Sequence, residues 1–213
     1  MSDIQPMLRR RMSRLTRMSI VVAADCCRQA GISVSDVRTV FASRHGEMQV
    51  TVELLKQMVV GSTISPIDFS GSVHHTALGY LSIASKSLEP MRAVAGGEAS
   101  FCYGFLEALG MLAETDGSPV LLIAADDIVP APFDDFVRRS SFPYAVAFLL
   151  SSARSRQGKS LTFTIPSGSL NQTQRKSDSK WLNIPALDFL YWYLKRNNPL
   201  ELRLSKRNWR WEK

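Results

Sequence analysis

An α/β fold with helices and buried strands in layers is predicted by three features of this 213-residue chain. Residues 120–125 form an unbroken apolar run between Pro119 and Asp126-Asp127, the pattern of a strand buried on both faces. Helical periodicities alternate with short β-branched or apolar runs, as layered α/β domains require. Residues 92–95, the turn Gly96-Gly97-Glu98 and residues 99–114 read as strand, sharp turn and apolar helix. No internal repeat and no long linker interrupts this order, so one domain over residues 1–213 is expected.

The elements follow in order. Residues 6–30 carry Met7, Leu8, Leu15, Met18, Val21, Val22 and Cys26 at three- and four-residue steps, with Gly31 as the stop, so one helix is expected. Residues 37–42 read as a strand ending in the turn Ser43-Arg44-His45-Gly46, and residues 48–60 as a helix closed by Gly61. Residues 65–70 read as a loop with Pro66 forcing an extended entry. A helix with small residues Ala77, Gly79 and Ala84 on its faces follows from 72 or 73 to 85. Beyond the apolar run, strands are predicted over 144–150 and 161–165, a polar turn over 151–160, a polar connection over 167–180 and a last helix over 185–196. The end of the chain, with Trp209 and Trp211, reads as a basic aromatic tail that packs on the core or on a partner; Trp181, Tyr191, Trp192 and Tyr193 belong to the same aromatic group.

Composition narrows the function. A hydrophobic content of 45% and a charged content of 21% describe an ordinary globular chain with a substantial core. No apolar run reaches the length of a membrane span, and residues 1–17 lack a signal-peptide apolar segment, so a cytoplasmic location is expected. Cys26, Cys27 and Cys102 lack the paired spacing of a zinc site and read as buried thiols. Net charge is +7, concentrated in Arg9, Arg10, Arg11, Arg14 and Arg17 at one end and in the last twenty residues at the other. The arginine stripe suits an acidic protein surface; with no nucleic-acid motif beside it, no nucleic-acid role is expected.

The motifs Ser65-Pro66, Phe69-Ser70-Gly71-Ser72-Val73-His74-His75, Ala77-Leu78-Gly79-Tyr80-Leu81-Ser82-Ile83-Ala84 and Val94-Ala95-Gly96-Gly97-Glu98-Ala99-Ser100 stand in order. Together they resemble the N-terminal half of a β-ketoacyl synthase, and in particular the short chain length factor relatives. Residues 6–15, the Ser43-Arg44-His45-Gly46-Glu47 turn and the closing Trp209-Arg210-Trp211-Glu212 are similar to the same subfamily. The resemblance implies a thiolase-like layered fold, truncated relative to a full ketosynthase. It also places Glu98 where the family carries its nucleophilic cysteine. Ketosynthases need that thiolate to accept an acyl chain and two later histidines to drive decarboxylation. Here the only histidines are His45, His74 and His75, all before Glu98.

The function so implied is that of a non-catalytic subunit without cofactor. It pairs with an active β-ketoacyl-ACP synthase and shapes that enzyme's acyl tunnel in aryl polyene biosynthesis, with acyl carrier protein as a further partner. Candidate interface residues are His74, His75, Tyr80, Glu98 and Phe101; candidate carrier-protein docking residues are Arg9, Arg10, Arg11 and Arg14. The alternative is a degenerate ketosynthase or malonyl-ACP decarboxylase acting through Glu98 or Cys102. Each residue also has a plainer reading. Glu98 suits the start of a helix through the helix dipole, Cys102 suits core packing, and His74-His75 suit capping or interface packing rather than metal. Asp126-Asp127 and Asp134-Asp135 read as solvated loop carboxylates.

Overall fold

The computed structural model describes residues 4–114, 118–137, 142–152, 160–166, 184–204 and 206–213. A four-stranded sheet has the order β2-β1-β3-β4, with β1 Arg38–Ala42, β2 Met91–Val94, β3 Val120–Asp126 and β4 Tyr144–Leu150. Strand β1 runs parallel to β2 and β3, and β4 returns antiparallel to β3. Every residue of β3 is buried, as its unbroken apolar run requires, because β3 has a strand on each side and a layer on each face.

The period-two alternation of the strands divides the core. Val40, Ala42, Leu122 and Ala124 face one layer, built from helix α6 (Ser100–Ala113), helix α7 (Pro185–Lys195) and a second sheet. Phe41, Leu121, Ile123 and Ala125 face the other layer, built from helix α2 (Arg14–Ala30) and helix α5 (Thr76–Ser85). Gly104 lets α6 lie directly on β1: a Cβ there would come within 2.6 Å of the Ala42 Cβ. Two further helices, α3 (Met48–Val59) and the short α4 (Pro66–Gly71), lie in sequence between β1 and α5.

Four expectations change. The first helix is two, α1 (Pro6–Arg11) and α2, because Ser13 leaves the helical conformation and its hydroxyl accepts the Thr16 N–H as an N-cap. The arginine stripe is therefore not one continuous helix face. Residues 66–71 are helical rather than loop: Ser65 is extended, as the residue before proline should be, but Pro66 then occupies the first helical position. Helix α5 begins at Thr76, later than the pattern placed it.

The tail is not merely packed; it is a sheet. Strands β5 (Thr162–Thr164), β6 (Leu200–Leu204) and β7 (Arg207–Glu212) form the order β5-β7-β6, all antiparallel. Trp209 and Trp211 alternate inward and are fully buried, while Arg210 points outward to Glu201 and Glu212. The connection expected over residues 167–180, Trp181 and most of the turn over 151–160 lie outside the described residues.

Candidate functional site

The three parallel strands end on one side of the sheet, where α/β proteins place their ligands. Ala42 is level with Val94 of β2 and with Ala124 of β3, so the turns that follow these strands are neighbours. The Ser43 N–H donates to the Val94 carbonyl at 3.2 Å, which ties the Ser43–Gly46 turn to the approach to Glu98.

The elbow is strand, one turn of tight helix over Gly97–Ala99, and then α6. Gly97 sits at φ 58°, a backbone conformation that any side chain would strain. Ser100 holds the turn closed: its hydroxyl accepts the Gly96 N–H at 3.0 Å and donates to the Gly97 carbonyl at 2.7 Å. Glu98, on the crest between them, is exposed. The turn thus presents a single carboxylate to the outside.

At the end of β3 lies a buried polar knot centred on its last residue, Asp126. One carboxylate oxygen accepts the Ser43 hydroxyl at 2.8 Å and the backbone N–H groups of Arg44 and His45 at 2.8 and 2.9 Å. The other accepts the Tyr144 hydroxyl at 3.0 Å. Burial and the adjacent carboxylate push the Tyr144 phenol well above its ordinary range, and burial pulls the His45 imidazole down. Asp127 points the other way and pairs with Arg14 through both guanidinium arms, at 2.9 Å from Nε. Neither aspartate is a solvated loop carboxylate, which corrects that reading; the acids are consumed in tying turns together. Asp134 and Asp135 are exposed, in a single 3-10 turn. Among the described residues no group of three or more His, Cys, Asp or Glu side chains could hold a metal ion.

The sequence-predicted residues separate on the structure. His74 reaches inward, its Nε2 at 3.1 Å from the Ser43 carbonyl and its ring 5.9 Å from that of Phe41. His75 is exposed at the N-cap position of α5, where its side chain makes no capping bond. Tyr80 is half-buried, with its hydroxyl 3.5 Å from the Arg11 carbonyl. Phe101 points into the core among Phe105, Phe148, Phe189 and Trp211, so it has no surface to offer a partner. Arg9, Arg10 and Arg11 are exposed, whereas Arg14 is spoken for by Asp127. Cys102 is sealed inside α6, and burial holds its thiol far above its ordinary pKa; burial pushes the Cys27 thiol up to about 11.

Sequence reasoning missed the Asp126 knot. Its one available signal was the position of the carboxylate immediately after a fully apolar strand, opposite a Ser-Arg-His-Gly turn.

A layered α/β domain with a strand–elbow–helix beside the ends of its parallel strands defines the class. The model of the β-ketoacyl synthase N-terminal domain matches residues 1–212, and the chain belongs to that family, with its thiolase-like fold. More particularly, it is similar to a chain of the ketosynthase (ApeO) in complex with its chain length factor (ApeC) from Xenorhabdus doucetiae. The two share 26% identity and a TM-score of 0.78, over 98% of this chain and 82% of that one. The ishigamide ketosynthase/chain length factor shares the fold at 15% identity and a TM-score of 0.62, over 77% of this chain and 52% of that one. A β-ketoacyl synthase from Burkholderia phymatum shares it at 18% identity and a TM-score of 0.55, over 66% and 37%. This chain thus spans about half or less of the length of those last two. No curated protein sequence matches it. No helix among the described residues is long and apolar enough to cross a membrane.

Proposed function

We propose that this chain is a non-catalytic chain length factor that pairs with a catalytic β-ketoacyl-ACP synthase and shapes its acyl tunnel, in the cytoplasm and in aryl polyene biosynthesis. The observation that carries the reading is the elbow itself, which keeps the shape that presents a nucleophile but presents Glu98. A carboxylate is a poor acyl acceptor beside a thiolate, and Cys102, four residues on, is too deeply buried to replace it. The three histidines of this sequence precede the elbow; the His74 ring bonds the Ser43 carbonyl, and the His45 backbone N–H serves Asp126.

Strand β2 favours a paired assembly. It is the end strand of its sheet, and no other strand of the described residues covers its free side. The carbonyls of Pro90 and Val94 accept from β1, so by alternation the N–H and C=O groups of Met91 and Ala93 point to the open side. Such an edge is a template for a strand from another subunit. Co-expression with a catalytic β-ketoacyl-ACP synthase from the same organism should yield a stable complex. Ala93→Pro removes one outward N–H while leaving the β1 ladder intact, and it should abolish co-purification with an unchanged far-UV circular dichroism spectrum. Free, monomeric protein in the unsubstituted co-expression would defeat the pairing.

A second expectation concerns the elbow. Glu98→Gln in the assembled pair should leave condensation by the partner within about twofold of its starting rate, because a group outside the chemistry removes no transition-state interaction. A loss of about a hundredfold or more, or a covalent acyl adduct on this chain, would instead assign the elbow a catalytic part. Arg9, Arg10 and Arg11 are the exposed cations offered to acidic acyl carrier protein, with Arg14 withdrawn from that set by its ion pair.

A further inference from the structure

A second site lies apart from the elbow. An open cleft of about 740 Å³ runs between the start of α2, the helices α3 and α4, and the loop after β3. Glu47, the residue before α3, lines it and is only 3% exposed. Its Oε1 accepts the Ser13 hydroxyl at 2.9 Å and the Thr16 hydroxyl at 2.7 Å, while its Oε2 is buried with no hydrogen-bond partner among the described residues. A buried carboxylate oxygen left unpaired is costly unless something supplies the missing partner.

The remaining charges of the cleft indicate what that partner is. Asp68 on α4 lines it, as does Glu53 on α3, which pairs with Lys56 at 3.9 Å; Arg14 lines it too, but Asp127 already neutralises that guanidinium, so Glu47 and Asp68 are left as its unpaired acids among the described residues. In a chain of net charge +7 this is a local excess of acid. The cleft's apolar lining, Leu15, Val50, Leu54 and Ile128, suits an alkyl stem. The same two helices also expose Leu55, Met58, Val59, Ile67 and Phe69, with Val59 86% and Phe69 61% exposed. A cleft with a buried acid on helices that also expose large apolar side chains suits a protein contact.

We propose that this cleft receives an arginine or lysine side chain of a partner protein, with Glu47 Oε2 as the buried acceptor and the apolar side chains of α3 and α4 packing around it. The site is independent of the elbow and of which partner the β2 edge serves. Burial raises the Glu47 pKa, the Ser13 and Thr16 hydroxyls and His74 oppose that rise, and Asp127 reinforces it. Glu53, Asp68 and Arg14 complete the charges facing the cleft. An arriving cation stabilises the ionised form, so binding releases a proton and affinity rises with pH until free Glu47 is fully ionised.

Calorimetric titration of the full chain with acetyl-Leu-Arg-Leu-amide, its norleucine analogue and agmatine tests this. The arginine peptide should bind at least about tenfold more tightly than the norleucine peptide, as expected for a charge-assisted bond to a buried carboxylate. It should also bind more tightly than agmatine, and gain up to about tenfold per pH unit below the Glu47 titration. Glu47→Gln keeps the acceptor for Ser13 and Thr16 and should remove both the arginine preference and the pH slope; Glu53→Gln with Asp68→Asn, on the rim, should weaken binding in a fold that they do not support. Equal binding of the norleucine peptide, affinity that falls with pH, or indifference to Glu47→Gln would overturn the proposal. Tighter binding of agmatine than of the peptide would overturn the protein partner, and no saturable binding at millimolar peptide would overturn the site.

Discussion

Asp126→Ala is expected to destabilise the protein by about 3–5 kcal/mol, read as a lowered urea midpoint at unchanged slope. The carboxylate is 8% exposed and accepts four hydrogen bonds, two of them from backbone N–H groups that have no rotamer with which to seek another acceptor. Each buried donor left unsatisfied costs about 1–3 kcal/mol, and the hydroxyls of Ser43 and Tyr144 recover part of their loss by turning. Asp126→Asn keeps the oxygen that serves Ser43, Arg44 and His45 and should lose less than half as much. If alanine and asparagine prove equally mild, the knot is not what holds the turns at the strand ends.

Trp211→Ala should cost a similar amount, about 3–5 kcal/mol, through packing alone. The indole is fully buried and lies 5.2 to 6.2 Å, between ring centres, from Phe101, Phe105, Phe163 and Phe189. Its Nε1 has no hydrogen-bond partner among the described residues, so truncation removes none of their bonds and leaves a cavity at the meeting point of α6, α7 and the second sheet. Trp211→Phe, which fills most of that space, should cost less than half as much. Near-UV circular dichroism should report the loosened cluster; a full aromatic signal in the alanine variant would place the indole outside the cluster.

Much of the scaffold was legible because burial imposes periodicity. Residues 120–125 have to be a strand with both faces covered, since nothing polar interrupts them, and β3 is that strand. The elbow was legible too, because Gly96-Gly97 between a short extended run and an apolar helix leaves few alternatives, and the structure puts Gly97 at positive φ. The tail was only half legible. Trp209 and Trp211 were read as packing on the core or on a partner, but their alternation with charged residues, the period of a strand, was not read as one.

Local pattern determined where the helices and central strands form, which positions face the core, and that the turn before α6 carries a carboxylate, Glu98. Those properties depend on neighbours in sequence, so propensity and periodicity express them. Only the tertiary structure decided which polar groups meet. Asp126 serves a turn more than eighty residues earlier, Asp127 neutralises one arginine of an apparently free stripe, and Phe101 turns from a candidate interface into core. Glu47 likewise becomes notable only when Ser13 and Thr16 bond one of its oxygens and the other is left without a partner among the described residues. Partnerships between residues distant in sequence arise from the packing of layers, and one residue's type and spacing carry no record of what another layer will set against it.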